Sequence, residues 1–224
     1  MSYTPAVVGV IALLGTCAIA AAQTAQTHEQ MHALHNDPKA YIAALEDPAR
    51  DAWQKPHDVV MALDIQPGSM VADIGAGSGY FTFRFARHVG TKGRVYAVDV
   101  SSDMIAAISQ KMSSLPVGTL APILARPDDP LLPAGKIDLV FICDTWHHID
   151  DRVAYAGKLE SALAPGGRVV IVDFHKRDIP VGPNAAMKLA REDVLKDFES
   201  AGFVLSKEHT MLPYQYFLEF TSKR

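Results

Sequence analysis

Cysteine is scarce: the 224 residues contain two, Cys17 and Cys143. Cys17 lies in an apolar run near the start, so a chain cleaved after that run keeps one thiol and has no internal disulfide. A soft-metal site built from several thiolates is excluded for the same reason. No basic stripe is present either. The 21 Lys and Arg are dispersed among 25 Asp and Glu, for a net charge of −4, which argues against a nucleic-acid partner. Internal repeats and low-complexity tracts are absent. With 49% hydrophobic and 21% charged residues, the composition is that of one well-buried globular domain with a short appendage.

Charge is missing altogether from Pro5 to Ala22, PAVVGVIALLGTCAIAAA. The small residues Ala20–Ala22 and the polar sequence from Gln23 onward give this stretch the layout of a secretory signal peptide. No Lys or Arg precedes it, and its length also suits an uncleaved membrane anchor. Residues 1–22 are therefore expected to export the chain (periplasmic or secreted) or to anchor it, and membrane contact is confined to them. A lipoprotein reading of Leu14–Cys17 is weaker, because Thr16 is poor before the cysteine. Residues 23–64 read as a polar helical leader. Asp37-Pro38 and Asp47-Pro48 each set an N-cap before a first-turn proline, predicting helices near 38–46 and 48–54. His28, His32 and His35 share one helical face, and His28–His32 spells H-E-x-x-H. A metalloprotease needs that string in a packed helix beside a cleft, whereas here it directly follows a cleavage site. It reads as solvated leader, and no metal is assigned.

From residue 65 to 224 the pattern is β/α. A helix at His57–Leu63 and the turn Pro67-Gly68 lead into a strand at Met70–Ile74. The amphipathic helix that follows carries Phe81, Phe85 and Val89 on one face. Further strands are expected at Arg94–Asp99, Thr119–Ala125, Ile137–Cys143 and Arg168–Phe174. Helices are expected through Met104–Met112, Arg152–Leu163 and Arg191–Ala201. The near-continuous apolar strands suit the centre of a sheet covered on both faces. The last two strands, near 203–209 and 214–221, have no helix between them and so form an antiparallel hairpin. The expected fold is α/β: a Rossmann-like, doubly wound, seven-stranded, mostly parallel sheet ending in that hairpin.

Gly75-Ala76-Gly77-Ser78-Gly79 joins the first strand to its helix, where backbone can approach a ligand and helix N–H groups face it. The spacing is G-x-G-x-G with Tyr80 next, so a dinucleotide-binding third glycine is missing, and so is the Gly-Lys-Ser/Thr of a phosphate loop. Asp73 would repel a pyrophosphate but not a ligand bearing an ammonium and a sulfonium.

Val71–Gly79 resembles the first motif of class I S-adenosylmethionine-dependent methyltransferases. Asp99-Val100-Ser101 with Met104 is similar to the second, whose acid binds ribose hydroxyls. Asp128 with Leu132-Pro133 resembles the adenine-side element, Asp129 being the alternative acid. Leu163–Arg168 resembles the family's L-x-P-G-G turn. The resemblance covers residues 65–221 and implies the strand order 3-2-1-4-5-7-6. It also implies S-adenosylmethionine as cofactor, contacted by Asp73, Gly75, Ala76, Gly77, Gly79, Asp99, Val100, Met104, Asp128, Asp129 and Asp144. The family likeness is nearest to quinone-biosynthesis and small-molecule methyltransferases.

Methyl transfer from a sulfonium needs alignment, exclusion of water and sometimes removal of a proton. The paired His147 and His148, beyond the fourth strand, are the candidate bases, and the sequence does not separate them. His175 is a third, lesser candidate. Asp144 suits cofactor or substrate contact. The expected partner is a small-molecule methyl acceptor. A non-catalytic S-adenosylmethionine- or nucleoside-binding protein of the same fold is the rival reading, since export would remove the domain from the cytosol where that cofactor is made. A nicotinamide oxidoreductase is disfavoured by Tyr80.

Overall fold

The structure, a computed structural model, describes residues 37–114 and 118–224. The segment of residues 1–22 and the His28/His32/His35 face lie outside the described residues. Among the described residues no helix is long and apolar enough to cross a membrane.

Helix α1 (Pro38–Leu45) starts where Asp37 Oδ1 accepts the N–H groups of Lys39 and Ala40, both at 3.1 Å. The single helix expected over 48–54 is instead a 3-10 turn at Pro48–Arg50 followed by α2 (Asp51–Gln54). Lys55 then turns left-handed (φ 46°), and Pro56 begins α3 (Pro56–Ala62). The proline explains the break, since it has no N–H to continue α2 and its fixed φ suits a first turn.

Seven strands follow: β1 (Met70–Ile74), β2 (Arg94–Asp99), β3 (Leu120–Leu124), β4 (Ile137–Cys143), β5 (Leu163–Phe174), β6 (Phe203–His209) and β7 (Gln215–Ser222). They form one sheet in the order β3-β2-β1-β4-β5-β7-β6. The first five pair in parallel, and β7 runs antiparallel to both β5 and β6. Between them run α4 (Thr82–Val89), α5 (Ser102–Lys111), α6 (Arg152–Ala162) and α7 (Arg191–Ser200). Helix α6 ends one residue earlier than its periodicity suggests. Leu163 already pairs with Ile137, and the register shifts before Leu139 meets Arg168. Pro165–Gly167 is thus an irregular entry to β5 as well as a helix stop. A Cβ at Gly167 would lie 2.6 Å from Ile137 O, so the crowded approach of β4 requires glycine there.

The two-residue period of the strands divides the core. Val71, Phe141, Val170 and Val172 face α3 and α4, where Val59, Leu63, Phe85 and Val89 are fully buried. Ala72, Val140, Val169 and Ile171 face α6 and α7, packing on Leu159 and Phe198. Sandwiching between helix layers is why these strands are apolar at nearly every position. Val59, Val60 and Leu63 share one core with the sheet, so the end of the leader is part of the folded unit. Strand order reverses between β1 and β4, the place where open α/β sheets bind ligands beyond their carboxyl ends.

Candidate functional site

A cavity of about 470 Å³ lies at that reversal, walled by the strand ends below and by α1, the Pro48–Arg50 turn and α2 above. Gly75 and Ala76 both donate to Val98 O, at 2.8 and 3.0 Å, which folds the turn back over β2. Gly75 has φ 69°, and a Cβ there would fall 2.1 Å from Thr145 Oγ1. Gly77 has φ 55° and would bring a Cβ to 3.0 Å from Leu45 of α1. Both positions are therefore closed to larger residues, by conformation and by space. Gly75, Ala76, Gly77 and Ser78 line the cavity.

Gly79 does not. It faces the adjacent crevice with Phe83, whose ring would meet an added Cβ at 2.5 Å. Its glycine serves the packing of α4 on the turn, which is a correction to the expectation of three ligand-facing glycines.

Asp99 closes the far side of the turn. Oδ2 accepts Gly77 N–H at 2.8 Å and Oδ1 accepts Ser101 N–H at 2.9 Å. Each oxygen retains lone-pair capacity toward the cavity, with Val100 and Met104 beside it. Burial raises its pKa, against the lowering effect of those backbone donors. Asp73, at the end of β1, is buried and takes a 2.5 Å hydrogen bond from Thr82 Oγ1. Burial pushes its carboxyl up to about 7. The Asp99 charge adds to this, while Thr82 and Arg50 oppose it.

Asp128 and Asp129 are not brought to the cavity, and this too corrects the sequence reading. Arg126 and Asp129 bridge across a tight turn that carries both acids outward, where Lys158 pairs with them at 3.6 and 3.5 Å. Ala125, Arg126 and Pro127 supply that wall instead.

Asp144 does line the cavity, in a left-handed conformation (φ 53°). Its Oδ1 accepts Gln215 Nε2 at 2.6 Å, and its Oδ2 lies 3.6 Å from Arg50 Nη2. Burial raises it to about 6, with the Asp173 charge adding and Arg50, Gln215 and His147 opposing. Gln54 Nε2 donates to Gln215 Oε1 at 2.7 Å, joining α2 to β7 beneath Asp144.

The paired histidines separate here. His147 Nδ1 sits 3.0 and 2.9 Å from the two oxygens of Asp173, a carboxylate with no solvent exposure at the end of β5. Burial alone would lower the His147 pKa, but the hydrogen bond and charge of Asp173, with the Asp144 charge, raise it overall. His148 is exposed, its ring centroid 4.1 Å from that of His147. Both line the cavity. His175 does not; it lies edge-on to Tyr216 at 5.9 Å, its pKa lowered by burial and by Arg177.

Three participants escape sequence reading. Asp173 carries a weak signal, as the lone acid in an otherwise apolar run. Arg50 and Trp53 carry none, because the residues that tie them to the cavity, Tyr80, Asp144 and Phe174, lie far along the chain. Among the described residues no group of three His, Cys, Asp or Glu side chains could hold a metal.

A family model described as "Methyltransferase domain" matches residues 72–169. The strand order and the glycine turn are likewise similar to those of class I S-adenosylmethionine-dependent methyltransferases. The chain is similar to a ubiquinone/menaquinone biosynthesis C-methyltransferase of Vibrio vulnificus. Identity is 30% over 112 residues, covering 50% of this chain and 43% of that one. The protein of the same description from Francisella philomiragia is 24% identical over 130 residues, 58% of this chain and 51% of its own length. The chain thus spans about half the length of the curated relatives it matches. In fold it is similar to an S-adenosylmethionine-dependent methyltransferase from Aquifex aeolicus, with TM-score 0.77 and 24% identity over 82% of this chain and 97% of that one. It is also similar to magnesium protoporphyrin IX methyltransferase from Synechocystis, solved with bound S-adenosylmethionine. That match has TM-score 0.54 and 21% identity, over 87% and 83% of the two chains.

Proposed function

We propose that this protein is an S-adenosylmethionine-dependent methyltransferase acting on a small-molecule acceptor, with His147 as the residue that takes the acceptor's proton. The site fits the cofactor on its own terms. Gly75 and Gly77 line the cavity with left-handed backbone that carries no side chain into it. Ser78 Oγ is buried at that cradle without a hydrogen-bond partner among the described residues. Asp99 presents a fixed carboxylate suited to two vicinal hydroxyls. When bound, S-adenosylmethionine supplies an electrophilic methyl group on a sulfonium whose leaving group departs neutral.

The observation that carries the catalytic part is the His147–Asp173 pair. A carboxylate at Nδ1 keeps the imidazole proton there and leaves the Nε2 lone pair to accept one. A protein that only held a nucleoside would gain nothing from so costly a buried arrangement. Trp53 and Phe174, with ring centroids 5.6 Å apart, wall the cavity and suit an acceptor with an apolar body. Together with α1 and the Pro48–Arg50 turn above the cavity, they exclude water from the reacting groups.

A metabolite screen with a labelled methyl donor identifies the acceptor. On that acceptor His147→Gln is expected to lower kcat by about 10²–10⁴-fold, the usual contribution of a positioned base, with S-adenosylhomocysteine affinity unchanged. Asp173→Asn should move the pH-rate limb to lower pH, because the charge that holds the His147 pKa above 6.5 is gone. Unchanged kcat in His147→Gln would remove the histidine from the chemistry; failure of the wild type to bind S-adenosylhomocysteine would remove the cofactor. The apolar residues 5–22 support export or anchoring of the domain, and sequencing the amino terminus of the mature protein tests that.

A further inference from the structure

Arg50 reaches the cavity from above, on the 3-10 turn between α1 and α2, with its side chain only 13% exposed. Its guanidinium is held rigidly. Nε donates to Gln54 Oε1 and Nη1 to Leu45 O, both at 3.2 Å. Its Cζ lies 4.2 Å from the ring centroid of Tyr80 and 5.9 Å from that of Trp53. Arg84 takes Tyr80 at the same 4.2 Å, and the Tyr80 hydroxyl donates to Asp51, so the platform is itself fixed. The remaining nitrogen, Nη2, has Asp144 at 3.6 Å, an ion pair longer than a hydrogen bond.

A largely buried guanidinium with one nitrogen short of a close acceptor is a receptor for a carboxylate. The surroundings say which kind. Asp144 is immediately beside Arg50, and Asp73 feels its charge. A simple anion would meet those acids as well as the cation and be repelled. A group with ammonium and carboxylate on one carbon complements both signs at once. The position agrees, since Arg50 rests on the residue that follows the glycine turn, and Leu45, which accepts its Nη1, reaches toward Gly77.

We propose that Arg50 is the counter-ion for the carboxylate at the amino-acid end of the cofactor, so that the binding site extends into residues preceding the family-matched segment 72–169. The proposal rests on the cofactor reading above and is tested by ligand pairs. The full chain, as wild type and as Arg50→Met and Arg50→Lys, is titrated calorimetrically with S-adenosylhomocysteine and with its decarboxylated analogue, which keeps the ammonium. Arg50→Met should weaken S-adenosylhomocysteine by about 10- to 100-fold, the range for a charge-assisted hydrogen bond, and leave the decarboxylated analogue within about twofold. Arg50→Lys should recover part of the loss. Because both ligands are read on the same preparation, a partly unfolded variant lowers both stoichiometries and leaves their affinity ratio intact. Equal weakening of the two ligands overturns the proposal, and so does unchanged S-adenosylhomocysteine affinity with a raised acceptor KM, which would assign Arg50 to the acceptor. If neither ligand binds the wild type, the cofactor reading itself has failed.

Discussion

Replacing Asp73 by asparagine isolates the electrostatics of the glycine turn. Burial holds the Asp73 carboxyl at about 7, against an ordinary value of 3.8. The folded protein therefore binds a proton that the unfolded chain has released throughout that interval. The sign follows from proton linkage: where the folded state binds more protons, stability falls as pH rises. The contribution is most favourable below 3.8 and is lost as pH climbs through the folded value near 7. A displacement of about three units, at roughly 1.4 kcal/mol each, amounts to about 4 kcal/mol across the window. Asparagine keeps the volume and can still accept the Thr82 hydroxyl, but it cannot ionise.

Urea unfolding of wild type and Asp73→Asn across about pH 4 to 8 reads the difference directly. Asp144 and Asp99 titrate in both proteins, so they largely cancel in the subtraction. The variant should gain several kcal/mol on the wild type between about pH 4 and 7 and then hold level. The same carboxyl should lose its proton when the ligand's ammonium group settles beside it. S-adenosylhomocysteine titrated near neutral pH, in buffers of different ionisation enthalpy, should then release less acid from the variant. Parallel stability curves, or a wild type that gains on the variant as pH rises, would refute the assignment of Asp73 as a buried, proton-holding acid.

Two further outcomes follow from the turn. Gly75→Ala forces a side chain onto φ 69° and into Thr145 Oγ1 at 2.1 Å; the strained backbone and the overpacking together should cost roughly 2–5 kcal/mol in thermal or urea unfolding. Adding Thr145→Gly should return only the packing share. Asp99→Ala removes the acceptor of the Gly77 and Ser101 N–H groups and the partner of the ribose hydroxyls, so S-adenosylhomocysteine should bind at least about tenfold more weakly by calorimetry. An unaltered affinity would take Asp99 out of the site.

What could be read in advance was local, or came with the family resemblance. The run from Met70 to Phe85 carries strand, turn and helix start within one stretch, and Asp99 ends a strand that any α/β sheet places beside that turn. The family's motif order gave the strand order in advance. Asp128 and Asp129 mislead because a two-residue difference within a turn decides which side chains face inward, and the Arg126–Asp129 bridge settles that in favour of Arg126 and Pro127. Gly79 misleads because a ligand-facing glycine and a packing glycine look alike until Phe83 is placed against it. His147 and His148 are adjacent and chemically identical, and burial against Asp173, 26 residues on, distinguishes them.

The leader carries a different lesson. Residues 37–55 contain few fully buried side chains, so hydrophobic periodicity gives them little weight. Yet Tyr41, Leu45, Arg50 and Trp53 roof the cavity. Their importance rests on polar and aromatic contacts with residues far along the chain: Leu45 over Gly77, Arg50 on Tyr80 and beside Asp144, Trp53 against Phe174. Tyr80 joins the two halves of the site. At the place where a dinucleotide turn would want its third glycine, this chain carries a ring that supports a buried guanidinium above the turn. The residue that argues against a dinucleotide-binding turn in the sequence is thus, in the fold, the platform for a cation that a zwitterionic ligand can use.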